Sequence, residues 1–367
     1  WVMGQMEMGD GEELLGFVDQ ARRNALLVFC GDSGGPSGTA VSGGVAVGDR
    51  PLDRAPIDKE LPAFLADWKG VPIYRLYYGH VLMSETGMNT RYWGARALRD
   101  YQAWLAERYG SIDALNRRWQ SRFGSFDDIP APLRQPQTEA EHGHWEDWNQ
   151  FRNGLYSQMM KSIYDLAKQL DPSLLLSACT SSSILQRPYF GGNNSYDYTK
   201  YQDISGMDGT YLDVPVGEWT WFDLTRGIPH YTLEWGPYYV PKSDPRQWKN
   251  KLTEEVWALL GGGGIGINCR VWSYGGCSGN SVDVTGLPTL AGWTLKRMID
   301  QVNQFDQLVL DGQRPAAVRI LFSNTSRIHD QSWSGGAPAT SLHLNAVDNL
   351  YGLFRTWHWP ARVLAEE

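Results

Sequence analysis

The chain has 367 residues, a formal net charge of −8 and a pI near 5.4. Such an acidic balance speaks against nucleic acid or an anionic membrane surface as partner. Hydrophobic residues make up 42% and charged residues 20%, an ordinary globular mixture with no apolar run of membrane-spanning length.

From the N-terminus, WVMGQMEM (1–8) reads as a strand and EELLGFVDQARRN (12–24) as a helix with apolar positions at helical spacing. ALLVFC (25–30) is the next strand. It runs into CGDSGGP (30–36), which resembles the nucleophile segment of trypsin-like serine proteases. A nucleophilic serine needs a base and an orienting carboxylate. All seven His (80, 142, 144, 230, 329, 343, 358) follow Ser33, the wrong order for that fold, so the segment reads as a Gly-rich turn.

PIYRLYYGHVLMSE (72–85) is a strand closing on Glu85. ALRDYQAWLAERYG (97–110) is an amphipathic helix stopped by Gly110, and SIDALNRRW (111–119) starts a second one at Ser111. A long helix covers 145–171 and Pro172 closes it. SLLLSACTS, DISGMDGTY, PHYTLEW and GIGINCRVW follow as strands, with helix KLTEEVWALL between the last two. In Gly261–Gly264, between that helix and the last strand, the chain needs glycine for a tight turn. Alternation of this kind predicts a parallel sheet, and the number of units favours a closed (β/α)8 barrel over residues 1–312. After Pro315 the pattern restarts: strand AAVRILFS, helix NAVDNLYGLFRTW and strand ARVL make residues 313–367 the start of a second α/β unit. Both ends of the chain read as cut, and localisation (soluble, cytoplasmic or secreted) is unmarked.

Function has to come from strand ends, because that is where such barrels keep their chemistry. Glu85, Asp208 and Glu234 stand at such ends, and Glu85 and Glu234 close apolar runs, where a carboxylate is costly unless solvated or employed. Glu85 and Glu234 lie 149 residues apart, room for the three intervening units if they end strands four and seven. Glycoside hydrolysis uses such a pair, one as proton donor and one as nucleophile. The chain also holds 17 Trp, 18 Tyr and 11 Phe. These read either as a large aromatic core or as a sugar-binding cleft, since an indole face packs on a pyranose while its N–H stays wet. Trp148, Trp221 and Trp235 are candidate walls and Trp272 the candidate floor. The four Cys (30, 179, 269, 277) form no metal knuckle; Cys269 and Cys277 are open to a bridge or to free thiols. No cofactor and no metal are expected.

The stretch ALRDYQAWLAERYGSIDALNRRWQSRFGSFDDIPAP (97–132) resembles glycoside hydrolase family 42, the β-galactosidases of clan A. Tyr101, Trp104, Leu105, Arg108, Tyr109 and Gly110 match its F-x-x-W-L-x-x-R-Y-G helix. Leu115, Asn116, Trp119 and Phe123 match its L-N-x-x-W-x-x-x-F segment, and Asp147, Trp148 and Phe151 the start of its next long helix. DISGMDGTYLDVP and HYTLEWGP are similar to its sixth strand and nucleophile strand, and RPAAVRILFS to the start of its flavodoxin-like second domain. The resemblance implies a TIM-type barrel, Glu85 as acid/base and Glu234 as nucleophile. A carbohydrate substrate and a homo-oligomer, a trimer, are implied as well. The chain departs from the pattern in three places: Ser84 stands where the family has the Asn that contacts the sugar 2-hydroxyl, no zinc-binding Cys cluster follows Glu85, and SYGGCSGNSVDVTG lacks the family's Glu and His for galactose. The expectation is a retaining glycosidase, β-galactosides first. The rivals are another β-glycan as substrate, an inactive sugar-binding barrel, or a structural oligomerisation protein.

Overall fold

The computed structural model describes residues 2–4, 29–30, 58–59, 61–63, 75–77, 95–132, 136–173, 175–181, 197, 199–208, 220, 222–224, 228–235, 245–269, 285, 287–305, 308, 312, 315–333 and 342–366. Strands β1 (Val2–Gly4), β2 (Phe29–Cys30), β3 (Arg75–Tyr77), β4 (Leu175–Ser181), β5 (Ile204–Asp208), β6 (His230–Trp235) and β7 (Gly264–Cys269) form one sheet in the order β1-β7-β6-β5-β4-β3-β2. Every pairing in it is parallel. The order is cyclic: it follows the sequence from β2 to β7, then returns to β1. An open doubly wound sheet does not bring its first strand beside its last in this way, whereas a closed (β/α)8 barrel must. The open place in this order lies between β1 and β2, and residues 5–28 fall outside the described residues. The helix expected at 12–24 falls outside the described residues.

Helix α1 (Ala95–Tyr109) buries Ala97, Tyr101, Gln102 and Leu105, a stripe at helical spacing. It stops at Gly110, whose φ of +70° is costly for any side chain. Ser111 then caps α2 (Ile112–Trp119), its hydroxyl accepting from the Ala114 N–H at 3.3 Å. Asp113 in the first turn and Arg117 and Arg118 in the last suit the helix dipole. Helix α3 (Glu139–Leu170) starts six residues earlier than the apolar pattern predicts. The Glu141 carboxylate accepts from the Thr138 N–H at 3.2 Å, a capping box written in the sequence as Thr138-x-x-Glu141. Tyr101, Leu105, Leu115, Trp119, Ile129, Trp148, Phe151 and Leu155 make the core between these three helices.

Helix α4 (Pro245–Gly262) reaches β7 through the glycine run, where Gly263 takes a φ of +101°. Helix α5 (Leu290–Val302) follows β7 and was not expected from the pattern; Thr289 caps it, accepting from Gly292 N–H at 3.3 Å.

Beyond residue 315 the strand AAVRILFS does not join the barrel. It is β8 (Val318–Phe322), paired in parallel with β9 (Ala361–Ala365) in a separate two-stranded sheet. Two helices, not one, connect them: α6 (Asn324–Trp333) and α7 (Leu342–Thr356). The α6 start was legible in Ser323, whose hydroxyl accepts from the Ser326 N–H at 3.0 Å. A two-stranded sheet is marginal alone. This one shares a core with the barrel's outer layer: Phe222, Leu224, Leu252, Val256 and Leu259 cluster with Ile320, Phe322, Leu344, Val347, Tyr351 and Val363. Each such side chain contributes about 1.5–3 kcal/mol on burial.

Candidate active site

Parallel strands present all their C-terminal ends on one rim. Asp208 is the last residue of β5, paired with Ser181 at the end of β4. Glu234 is the penultimate residue of β6, and Trp235 after it pairs with Cys269 at the end of β7. The β6–β7 register slips here: Thr232 pairs with Ile267 and Trp235 with Cys269. Three steps on β6 thus face two on β7, which places one extra residue, a β-bulge, at Leu233–Glu234. Bulges bend a strand and re-aim a side chain, and they concentrate beside active sites.

Glu85, Ser84, Trp221 and Trp272 lie outside the described residues, as does Cys277. Glu85 follows β3, which ends at Tyr77. From β3 to β6 the sheet counts three steps, through β4 and β5, the separation that the strand-four and strand-seven positions require. Trp148 needs correction. It is fully buried, meeting Tyr101 edge-on at 4.9 Å and 88° and Phe151 at 5.7 Å. Neighbours on a helix point about 100° apart, so Trp148 and the adjacent Asp147 serve different faces of α3. Trp148 is a core residue and no cleft wall. Among the described residues no three His, Cys, Asp or Glu side chains gather to hold a metal ion.

The glycoside hydrolase 42 model, described as beta-galactosidase, matches residues 80–227. A beta-galactosidase of Arthrobacter sp. is 25% identical over 186 residues, 44% of this chain and 26% of its own length. Across this segment the chain is similar to glycoside hydrolase family 42. The beta-galactosidase of Rahnella sp. R3 superposes on 98% of this chain and 58% of its own, with TM-score 0.73 and 16% identity. That of the haloarchaeon Halorubrum lacusprofundi covers 98% and 60%, with TM-score 0.72 and 16% identity. The chain thus spans under two thirds of these solved structures and about a quarter of the curated relative. The structural likeness carries the fold.

The motif of α1 and α2 that resembles family 42 turns out to be a joint. Asp147, on α3, is 3% exposed. Its Oδ2 accepts from the Tyr109 hydroxyl at 2.5 Å and from Trp119 Nε1–H at 2.9 Å. Arg108 Nε lies 3.2 Å from Oδ1. The Arg-Tyr-Gly and Leu-Asn-x-x-Trp pieces are therefore tied to the next helix by one carboxylate. Asn116 does the same for the following loop: its Oδ1 accepts from Phe123 N–H (2.9 Å) and Ser121 Oγ–H (2.8 Å), and its amide donates to Phe123 O at 2.9 Å. Burial raises the Asp147 carboxyl above its ordinary 3.8, against the opposing pull of Tyr109, Arg108 and Trp119. Burial, with the Asp147 hydrogen bond, raises Tyr109 to about 12.

His144 belongs to the same joint, its ring stacked on Trp119 at 4.7 Å and 25°. Burial lowers its pKa from 6.5 to about 4. On unfolding, His144 takes a proton below 6.5, while in the fold it resists until about 4. Its contribution to stability is therefore present above pH 6.5 and lost as pH falls towards 4, with a slope of up to about 1.4 kcal/mol per pH unit. Denaturant titrations of wild type and His144→Phe between pH 4 and 7 are expected to diverge with this sign. Parallel curves would show that the histidine charges freely in the fold.

Proposed function

We propose that the chain is the catalytic barrel of a retaining β-glycosidase, with β-galactosides as its first substrate class. The observation that carries this reading is the bulge at Leu233–Glu234 on the catalytic rim, next to the strand that ends in Asp208. In this reading Glu234 is ionised and attacks the anomeric carbon. Glu85 protonates the departing oxygen, then takes the proton of the incoming water. Glu85 must hold its proton until substrate arrives, which burial and the nearby negative charge of Glu234 would achieve. Once the glycosyl-enzyme forms, Glu234 is no longer charged and Glu85 acidifies, as its change of role requires. Asp208, Ser84, Trp221, Trp235 and Trp272 are assigned to the sugar. The barrel is taken to run to residue 312 and the second, flavodoxin-like unit to begin at 313; a homo-oligomer belongs to the same proposal.

The test is a panel of nitrophenyl β-glycosides with the anomer of the first product followed by NMR. The expected result is hydrolysis of the galactoside with retained configuration. An inverted first product overturns the mechanism. Sugar binding without hydrolysis anywhere in the panel would favour a binding barrel, the reading to which Ser84 in place of Asn lends support.

A further inference from the structure

The smaller unit grips the barrel at one turn, and that turn touches the strand of Glu234. Residues 222–224 lie on the crossover from β5 to β6. The Asp223 side chain is fully buried. Its Oδ2 accepts from the Tyr351 hydroxyl of α7 at 2.9 Å and from the Val363 N–H of β9 at 2.8 Å. Its Oδ1 accepts from Arg362 Nε–H of β9 at 3.2 Å. Beside it, the Thr220 hydroxyl donates to Asp348 of α7 at 2.8 Å. A buried carboxylate satisfied from one partner unit fixes where that partner sits, because without it the Tyr351 hydroxyl and the Val363 N–H would be stranded in the interior, whereas Arg362, at 39% exposed, could turn to water.

The adjacent Phe222 carries the grip inward. Its ring lies flat on His230, with centroids 3.6 Å apart and planes at 21°. His230 is the first residue of β6, in register with Ser205 of β5 and Gly264 of β7. The space under this pair is closed: a Cβ on Gly264 would come within 3.0 Å of the Leu259 carbonyl and 3.5 Å of Phe222 Cζ. The contacts therefore run unbroken from α7 and β9, through Asp223 and Phe222, to the foot of β6, four residues below Glu234.

We infer that the smaller unit is a positioning element for the barrel, and that Asp223 and Phe222 are positioning residues that set the height and tilt of β6. The part concerning catalysis rests on the glycosidase reading; the mechanical part does not. Misplacing a reacting group by about 1 Å costs on the order of 100-fold in rate, so a small drift of β6 suffices.

The test uses the full chain as Asp223→Ala, Asp223→Asn and Phe222→Leu, at a temperature where each variant is folded by circular dichroism. Two readouts are taken: amide hydrogen exchange across residues 228–235, and kcat and KM on nitrophenyl β-galactoside. Asp223→Ala is expected to speed exchange in β6 at least about tenfold and to lower kcat by a similar factor, with KM little changed. Asp223→Asn can keep one oxygen towards Tyr351 and Val363 while opposing an N–H to Arg362. It is expected to fall between wild type and Ala, and Arg362→Met added to it should recover part of the loss. Folded variants with unchanged β6 exchange would overturn the inference. Faster exchange with unchanged kcat would overturn its catalytic part. If the wild-type protein hydrolyses nothing, the glycosidase reading fails and the exchange data alone still decide whether the smaller unit braces β6.

Discussion

Glu234→Ala is expected to reduce turnover of a nitrophenyl β-galactoside by roughly 10⁴-fold or more, the scale at which loss of a nucleophile leaves only binding and electrostatics. Azide or formate should restore part of the rate, because a small anion can enter the vacated volume and attack the anomeric carbon in place of the carboxylate. The rescued product should carry the opposite configuration to the wild-type product. Glu85→Ala should differ. Nitrophenolate departs with little protonation, so the first step survives, and the second step, which needs a base for water, becomes slow. Steady-state and burst kinetics with the two variants, plus NMR of the anomer, separate these outcomes. A Glu234→Ala protein that keeps its rate would remove Glu234 from the chemistry.

Asp147→Ala is the largest stability effect expected away from that rim. It would leave the buried Trp119 N–H and the half-buried Tyr109 hydroxyl without their acceptor, while the exposed Arg108 guanidinium can turn to water. Breaking a buried, hydrogen-bonded charge cluster by removing one partner typically costs about 3–5 kcal/mol, a fall in melting temperature on the order of 10 °C. Calorimetry of Asp147→Ala beside Asp147→Asn checks it, with the amide expected to lose less. Equal, small losses in both would mean that water reaches the joint and replaces the carboxylate.

Most of the frame was legible because it rests on local rules. Gly110 ends α1, Ser111 starts α2, and the strands β4 to β7 lie within the apolar runs that predicted them. What escaped had weaker local signals or a competing one. The first turns of α3, EAEHGH, carry little apolar content, and the Thr138–Glu141 capping box was the clue that mattered. α6 has the sequence NTSRIHDQSW, polar enough to pass for a loop. Trp148 failed for a geometric reason. A tryptophan beside a carboxylate suggests a sugar platform, but on a helix the two side chains diverge, and here both served the interior. The motif that carried the family resemblance lies inside the segment that the family model matches, and its residues Arg108, Tyr109 and Trp119 belong to scaffold. Glu85, Ser84, Trp221 and Trp272 fall outside the described residues, so their part in the site stays with the proposed function.

The cyclic strand order bears on how the barrel assembles. Val2 pairs with Ile267, partners separated by 265 positions along the chain, whereas β4 and β5 pair across a much shorter gap. Loop-closure entropy grows with the logarithm of the enclosed length, and distant pairings slow folding. The run β4-β5-β6-β7 can form progressively, each strand adding beside the last. β1, which precedes the other described strands in the chain, has no permanent neighbour on the β7 side until residue 269 is available. Until then the flank that β7 and β1 will cover is a bare edge, a state exposed to pairing with other chains. Closure by β1 is thus a late step, and shortening or weakening Val2–Gly4 should slow refolding and favour aggregation more than it lowers the stability of the finished barrel.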